Sequence, residues 1–120
     1  MNDHNTPVQA IKEAAQRFVD ERDWQQFHHP KELAMDLSCE AAELMELFLW
    51  ASNEDINKRL RSDAAYRERV FEEIGDVVFA LAKIANTIEG CDLTTVFFEK
   101  LAKTGKKYSV ELSRSSIVKR

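Results

Sequence analysis

Apolar residues recur along this 120-residue chain at the spacing of an α-helix, and the residues that interrupt helices are scarce. Glycine occurs three times and proline twice, and no stretch alternates apolar and polar residues for long enough to predict a strand. The pattern therefore predicts an all-α fold. A chain of this length can bury one apolar core but is too short for a catalytic domain and a separate binding domain, so one function should be sought in one core.

Capping residues and prolines divide the apolar pattern into four long helices. Residues 53–61, between the second and third of them, are polar, and we expect a connector with one short helical turn. Residues 1–108 are predicted to form a single helical domain, and residues 109–120 a tail that is disordered or ordered only by a partner chain. The predicted helices run from after Thr6 to about Arg22, from Pro30 to about Trp50, from Ser62 or Asp63 to Gly90, and from Asp92 to about Lys103, with the last ending near Gly105.

The composition argues against several classes of function. Charged residues make up 32% of the chain and the net charge is -4, without the basic excess that binding to a nucleic-acid backbone needs. Residues 1–9 show no charged segment leading into an apolar run, and no membrane-spanning run occurs, so we expect a cytoplasmic protein with no membrane partner. Cys39 and Cys91 lack disulfide or metal-binding spacing and are predicted to be small buried apolar residues.

Two pairs of carboxylates lie beside the apolar stripes of the second and third helices. Residues three apart are neighbours on a helix, so each pair shares one face close to the core. Carboxylates gathered there repel one another and lose hydration, and they need strong positive compensation. Lysine and arginine are absent from the matching positions, so a hard divalent cation is the simplest answer, and oxygen-only ligands favour magnesium or manganese. The acids are Glu40, Glu43, Glu73 and Asp76.

These acids admit other interpretations. A single glutamate beside a stripe is more often a solvated acid on a slightly rotated face, whereas two such pairs favour a site. A di-iron centre would require Glu-x-x-His pairs, and neither pair has a histidine at that spacing. Glu46, Glu72 and Glu89 are predicted to be surface acids, although Glu46 or Glu72 could serve as an occasional ligand.

The acid motifs and their flanking segments resemble a known family. The motifs EAAE at residues 40–43 and EIGD at residues 73–76 resemble the ExxE and ExxD signature of the all-α MazG-like nucleotide pyrophosphohydrolases. Residues 21–28 (ERDWQQFH) and 43–50 (ELMELFLW) are similar to the dCTP pyrophosphatase branch. The resemblance covers roughly residues 11–108 and implies a four-helix MazG-like bundle that works as a homodimer or homotetramer.

The resemblance also implies an activity. A nucleoside triphosphate, expected to be dCTP or a related pyrimidine nucleotide, would be cleaved to the monophosphate and pyrophosphate. Mg²⁺, with Mn²⁺ as a possible substitute, would bridge the triphosphate and the acids, and the acids would position the attacking water. The catalytic and metal-binding residues would be Glu40, Glu43, Glu73 and Asp76, with Glu43 favoured as the general base.

Four further positions match nucleotide-contacting residues of the branch, and a fifth corresponds to one but differs in residue type. Trp24 and Trp50 match tryptophans that line the base pocket, where an aromatic face can stack on a base, although each could instead fill a gap between helices. His28 matches another branch position but could be structural. Lys100 matches a phosphate-contacting lysine, and Thr104 stands where the branch has an asparagine.

One further departure concerns Ala80, which stands where the branch carries a tyrosine, so base preference is the least determined expectation.

Two other classes of function remain open. The chain could be a helical interaction or regulatory module whose acids are surface charge. It could also be a phosphoribosyl-nucleotide pyrophosphohydrolase, which the two tryptophans argue against. In addition, Phe79, Phe97 and Phe98 exceed what one small core can bury, which predicts contact with a second copy.

Overall fold

The computed structural model describes residues 1–117 and is built from α-helices. No strand occurs among these residues, so the predicted all-α fold is confirmed. A short 3₁₀ turn, Gln25–Phe27, lies between the first two helices. The helices are α1 (Val8–Glu21), α2 (Pro30–Glu46), α3 (Asn53–Ser62), α4 (Ala64–Thr87), α5 (Leu93–Lys107) and α6 (Val110–Ser113).

Side-chain caps fix where several helices begin. The side chains of Ser52, Asp63 and Asp92 each accept a hydrogen bond from the backbone N–H three residues further on, at the starts of α3, α4 and α5. Each cap satisfies one of the amide groups that the first turn leaves unpaired and contributes about 1 kcal/mol to stability. Pro30 occupies the first turn of α2, where its missing N–H costs nothing.

Some predicted boundaries are wrong. Helix α2 ends at Glu46, and residues 47–50 form turns instead of a continuation to Trp50. The predicted connector is a ten-residue helix, α3, with acids in its first turn and Arg59 and Arg61 in its last, an arrangement that favours the helix dipole. Helix α5 continues past Gly105, because one glycine costs a helix only about 1 kcal/mol. Helix α6 lies in the predicted tail, whose residues 118–120 are outside the described part.

The chain divides into two compact units, Met1–Glu89 and Gly90–Arg120. In the first unit α4 packs against α1, α2 and α3, and its contact with α2 is the most extensive. Gly90, at φ 81°, takes the left-handed conformation in the link that follows α4. The buried apolar residues, all in the first unit, are Ala15, Val19, Leu33, Tyr66, Val70, Ala80, Ala82 and Ala85.

Two contacts set the direction of α2 against α4. The Tyr66 hydroxyl, near the start of α4, donates to the Leu47 carbonyl oxygen just after α2, at 2.7 Å. Near the other ends of the two helices, the Lys83 ammonium lies 3.0 Å from an Asp36 carboxylate oxygen. The helices therefore run antiparallel, and the line of contact between them is called the α2–α4 seam below.

Many large apolar side chains remain exposed in each unit. Ile11, Phe18 and Val78 are exposed in the first unit, and Phe97 and Phe98 in the second. No helix formed by residues 1–117 has both the length and the apolar character that crossing a bilayer requires.

The expectation that both cysteines are buried is wrong. Cys39 is exposed and Cys91 is half-buried. On α2, Cys39 lies two residues beyond Leu37, which rotates it by about 200° around the helix axis and away from the apolar line. Cys91 lies in the link between α4 and α5 and not on the apolar face of a helix.

Candidate metal centre

Four carboxylates meet on the α2–α4 seam. On each helix two acids lie three residues apart, so both face the seam, and the antiparallel packing places the two pairs opposite each other. One oxygen from each of the four side chains lies within 4.8 Å of the other three. The structure thus brings together every residue predicted from the sequence as a metal ligand. This acid cluster consists of Glu40, Glu43, Glu73 and Asp76.

Burial is uneven within the acid cluster. Glu40 and Glu73 are half-buried, whereas Glu43 and Asp76 are exposed. The Oε2 atoms of Glu40 and Glu73 are closed off from water and accept no hydrogen bond from the described residues. A buried carboxylate oxygen without a donor is costly, so a proton shared with the neighbouring Glu43 or a bound cation would stabilise both atoms.

Electrostatics disfavour ionisation of all four acids at once. Burial raises the pKa of Glu40 above its ordinary value of 4.5, and the neighbouring Glu43 raises it further. Burial also raises the pKa of Glu73, with additional contributions from the charges of Glu43 and Asp76. Desolvation and like charges both penalise a carboxylate, and a cation placed among the four oxygens would reverse both effects.

The acid cluster fits a hard divalent cation. Its donors are all carboxylate oxygens, which magnesium, manganese and calcium accept as ligands. Two oxygens on opposite sides of one magnesium ion are about 4.2 Å apart, since each lies about 2.1 Å from the ion. In the acid cluster, one oxygen of each side chain lies within 4.8 Å of the others, which is close to this value. Small side-chain rotations would therefore be enough to form a site.

An ion pair that sequence reasoning missed lies beside the acid cluster. Lys83 donates to Asp36 at 3.0 Å, and its side chain is only 15% exposed. The Lys83 ammonium also lies 4.4 Å from the centre of the Phe79 ring. The sequence did indicate that Asp36 lies near the acids, because Asp36 precedes Glu40 by one helical turn. The partner could not be identified without the register of α2 against α4, since the two residues are 47 positions apart.

Trp24 lies between α1 and the 3₁₀ turn and is 42% exposed. Its backbone N–H donates to the Val19 carbonyl at 3.1 Å, which holds the turn against the end of α1. The rings of Trp24 and Phe18 pack in a T-shaped arrangement with their centroids 5.8 Å apart. Phe18 and Phe79 of α4 pack in the same way with centroids 5.5 Å apart. Phe79 is one turn beyond Asp76, so a chain of aromatic contacts leads from Trp24 to the helix that carries two of the four acids.

His28 lines a small polar cavity of about 150 Å³ within the first unit. Burial lowers the pKa of His28 below its ordinary value of 6.5, and the charge of Lys83 lowers it further. The ring is therefore neutral at pH 7, with one nitrogen that donates and one that accepts a hydrogen bond. The cavity is lined by Gln16, Val19, Gln25, His28, Lys83, Asn86 and Thr87.

Trp50 and Ala80 have opposite environments. Trp50 is 90% exposed in the turns after α2, so it does not fill a gap between the helices of its unit. Ala80 is 1% exposed and belongs to the core, where its methyl group offers no polar contact to a nucleotide. Lys100 is exposed and Thr104 half-buried on α5, in the second unit. Their expected contacts with the nucleotide stay predictions.

Comparisons with known proteins agree with the acid motifs. A model of the MazG-like family matches residues 36–116. The dCTP pyrophosphatase 1 of Bos taurus is 33% identical over 112 residues, which are 93% of this chain and 65% of that protein. The human dCTP pyrophosphatase 1 is 32% identical over 109 residues, which are 91% of this chain and 63% of that protein. The chain thus spans a little less than two thirds of the length of these relatives.

A solved structure is also similar. The crystal structure of a pyrophosphatase from Archaeoglobus fulgidus superposes with a TM-score of 0.78 at 29% sequence identity. The match covers 91% of this chain and 98% of that one. The likeness therefore extends across nearly the whole of both chains and is not confined to the acid motifs.

Proposed function

The chain belongs to the MazG-like family, and on this premise we propose that it hydrolyses a nucleoside triphosphate to the monophosphate and pyrophosphate with the help of magnesium. The observation that carries the proposal is the convergence of four carboxylate oxygens within 4.8 Å on the α2–α4 seam. The buried oxygens of Glu40 and Glu73 support it, because a bound cation would compensate for the hydrogen bonds that they lack. The likeness to dCTP pyrophosphatases and to an archaeal pyrophosphatase supports the class of reaction.

The proposed roles of the four acids follow from their burial. Magnesium, when bound, supplies positive charge to phosphate oxygens and lowers the pKa of a coordinated water. Glu40 and Glu73, the half-buried pair, would hold the ion from the protein side. Glu43 and Asp76 are exposed and both charges act on Glu40 and Glu73, but only Glu43 also interacts with both by a side-chain hydrogen bond. We propose Glu43 as the group that accepts the proton of the attacking water.

We propose that the substrate is dCTP or a related pyrimidine nucleotide. Trp24 presents a partly exposed aromatic face on which a base can stack. The neutral ring of His28 and the amide of Gln25 line one cavity and together offer both donors and acceptors, as the edge of a pyrimidine requires. Trp50, Lys100 and Thr104 are proposed as further contacts on the strength of the sequence resemblance.

The exposed apolar residues support the proposal that the chain acts as a homodimer or homotetramer. In the first unit an apolar groove of about 570 Å³ runs between α1 and α4 and is walled in part by Ile11, Phe18 and Val78. Apolar surface of this kind is usually covered in a working protein. A cytoplasmic location and the lack of a nucleic-acid partner stay predictions from composition.

A panel of nucleotides assayed for pyrophosphate release tests the proposed function. The panel contains the common ribonucleoside and deoxyribonucleoside triphosphates and phosphoribosyl-ATP, each with magnesium, with manganese and with a chelator. We expect metal-dependent release of pyrophosphate, fastest from a pyrimidine deoxynucleotide. Glu40→Gln should abolish it, and Glu32→Gln, which alters an exposed acid in the first turn of the same helix, should leave it unchanged. Absence of hydrolysis across the panel, or full activity in Glu40→Gln, would remove the proposal.

A further inference from the structure

The Lys83–Asp36 ion pair lies on the same seam as the acid cluster but is not part of it. Its two atoms are 3.0 Å apart, and the side chains of Lys83 and Asp36 are 15% and 37% exposed. An ammonium group so little exposed to water is stabilised by a partner of opposite charge, so the pair is a fixed feature of the seam. This differs from surface ion pairs, which contribute little because both side chains move freely.

Both members of the pair lie at the same end of the acid cluster. On α2, Asp36 is four residues before Glu40, so the two carboxylates are neighbours on one helix face. On α4, Lys83 follows Asp76 by seven residues, or about 10 Å along the helix. The charge of Asp36 reaches the acid cluster, since it contributes to the raised pKa of Glu40.

Other contacts hold Lys83 in place. Its ammonium lies 4.4 Å from the centre of the Phe79 ring, one turn earlier on the same helix, and the negative face of the ring attracts the cation. Its side chain also forms part of the wall of the cavity that contains His28. Because the lysine is fixed, the Asp36 carboxylate that it binds is held against α4, outside the set of four carboxylates that lie within 4.8 Å of one another.

We propose that Lys83 is a positioning residue that keeps the Asp36 carboxylate out of the acid cluster and balances its charge. A divalent cation then meets four carboxylates instead of five, and the pair sets the affinity for that cation. The inference rests on the proposed function only in requiring that the acid cluster bind a divalent cation. It does not depend on which nucleotide is the substrate.

The proposal predicts changes of opposite sign in the two single variants. Lys83→Met leaves the Asp36 charge unbalanced and free to turn towards Glu40. The affinity for Mn²⁺ should therefore rise about fourfold, as expected for one charge roughly 10 Å from a divalent ion in a largely aqueous medium. Asp36→Asn leaves the Lys83 charge unbalanced, so the affinity should fall by about the same factor. The double variant should bind Mn²⁺ within about twofold of the wild type.

The experiment measures Mn²⁺ binding to the purified full chain by calorimetry and by the electron paramagnetic resonance signal of free Mn²⁺, without nucleotide. Lys83→Arg keeps the positive charge and should bind Mn²⁺ as the wild type does. Arg61→Met is the control, because it removes one positive charge from an exposed side chain in the last turn of α3. Its effect on affinity should be small. Circular dichroism verifies that each variant is folded.

The outcomes separate this inference from the proposed function. Opposite shifts that cancel in the double variant support the inference, even if the wild type hydrolyses no nucleotide and the proposed function fails. If the wild type binds Mn²⁺ and hydrolyses nucleotide, but both single variants weaken binding or leave it unchanged, the inference is overturned and the proposed function stands. If the wild type does not bind Mn²⁺, both are overturned.

Discussion

Replacing Glu40 by glutamine should affect stability in opposite directions with and without magnesium. In the metal-free protein Glu40 is half-buried, and one of its oxygens has no hydrogen-bond donor among the described residues. Burial and the charge of Glu43 raise its pKa, so at neutral pH its ionised form opposes folding. The amide of glutamine has nearly the same shape without the charge. The metal-free Glu40→Gln variant should therefore be more stable than the metal-free wild type.

With magnesium the wild type should be more stable than Glu40→Gln, and the size of this effect follows from the loss of magnesium affinity. A ligand present at about 100 times its dissociation constant stabilises the folded state by about 2.7 kcal/mol. Altering a group that only supports a metal ligand already lowers affinity by about 10- to 100-fold, so we expect loss of a ligand charge to lower it by at least about 100-fold. The variant then gains at most about 0.4 kcal/mol at the same magnesium concentration. For a chain of this size the difference of about 2.3 kcal/mol corresponds to roughly 7 to 12 °C in Tm.

Thermal unfolding followed by circular dichroism, with chelator or with a series of magnesium concentrations, measures both effects. Glu32→Gln removes an exposed acid from the first turn of the same helix and serves as the control. Its response to magnesium should equal that of the wild type. A magnesium-induced rise in Tm as large in Glu40→Gln as in the wild type would refute the assignment of Glu40 as a ligand. A lower metal-free Tm in the variant would refute the argument from repulsion.

Three further outcomes follow from named contacts. Because the pKa of Glu73 is raised in the folded chain, its protonated form stabilises the metal-free protein fully below the ordinary value of 4.5, and this contribution is lost as the pH rises through the raised pKa. As the pH rises from 4.5 through the raised pKa, the metal-free Tm of the wild type should therefore fall relative to that of Glu73→Gln. A relative rise of the wild-type stability in urea or thermal unfolding would contradict this expectation. Tyr66→Phe removes a buried hydroxyl that donates to the Leu47 carbonyl at 2.7 Å, so it should lower the free energy of unfolding by about 1 kcal/mol, and an unchanged urea midpoint would show that the bond contributes nothing. Trp24→Ala should raise KM for the preferred nucleotide about 5- to 100-fold with a smaller effect on kcat, because base stacking on an aromatic ring contributes about 1 to 3 kcal/mol, and an unchanged KM would exclude Trp24 from the base pocket.

The acid cluster could be predicted from sequence because helical periodicity fixes which residues share a face. Glu40 and Glu43, like Glu73 and Asp76, are one turn apart beside an apolar stripe, so their convergence requires only that α2 and α4 pack through those stripes. Helix α3 escaped prediction for the opposite reason. It has no buried residue and depends on the cap from Ser52 and on charges placed to suit its dipole, which a search for apolar stripes does not detect.

The environment of each side chain was harder to predict than its helix. Ala80 and Leu81 are adjacent and both apolar, yet Ala80 is 1% exposed and Leu81 is 42% exposed. The apolar stripe of α4 includes residues at both edges of one helix face. Which of them is buried depends on the helix that packs against that face. The Lys83–Asp36 pair shows the same limit for polar residues, because its two members are 47 positions apart and meet only at one register of the two helices.

The contacts along the α2–α4 seam counter the repulsion within the acid cluster. Four carboxylates between two helices push them apart, and burial leaves two oxygens without donors. The hydrogen bond from Tyr66 to Leu47 closes the seam on one side of the acids, and the Lys83–Asp36 ion pair closes it on the other. The acids are thus held at a separation that their own repulsion would otherwise increase. A site organised in this way requires little rearrangement when a cation binds, so more of the attraction between cation and carboxylates remains available as affinity.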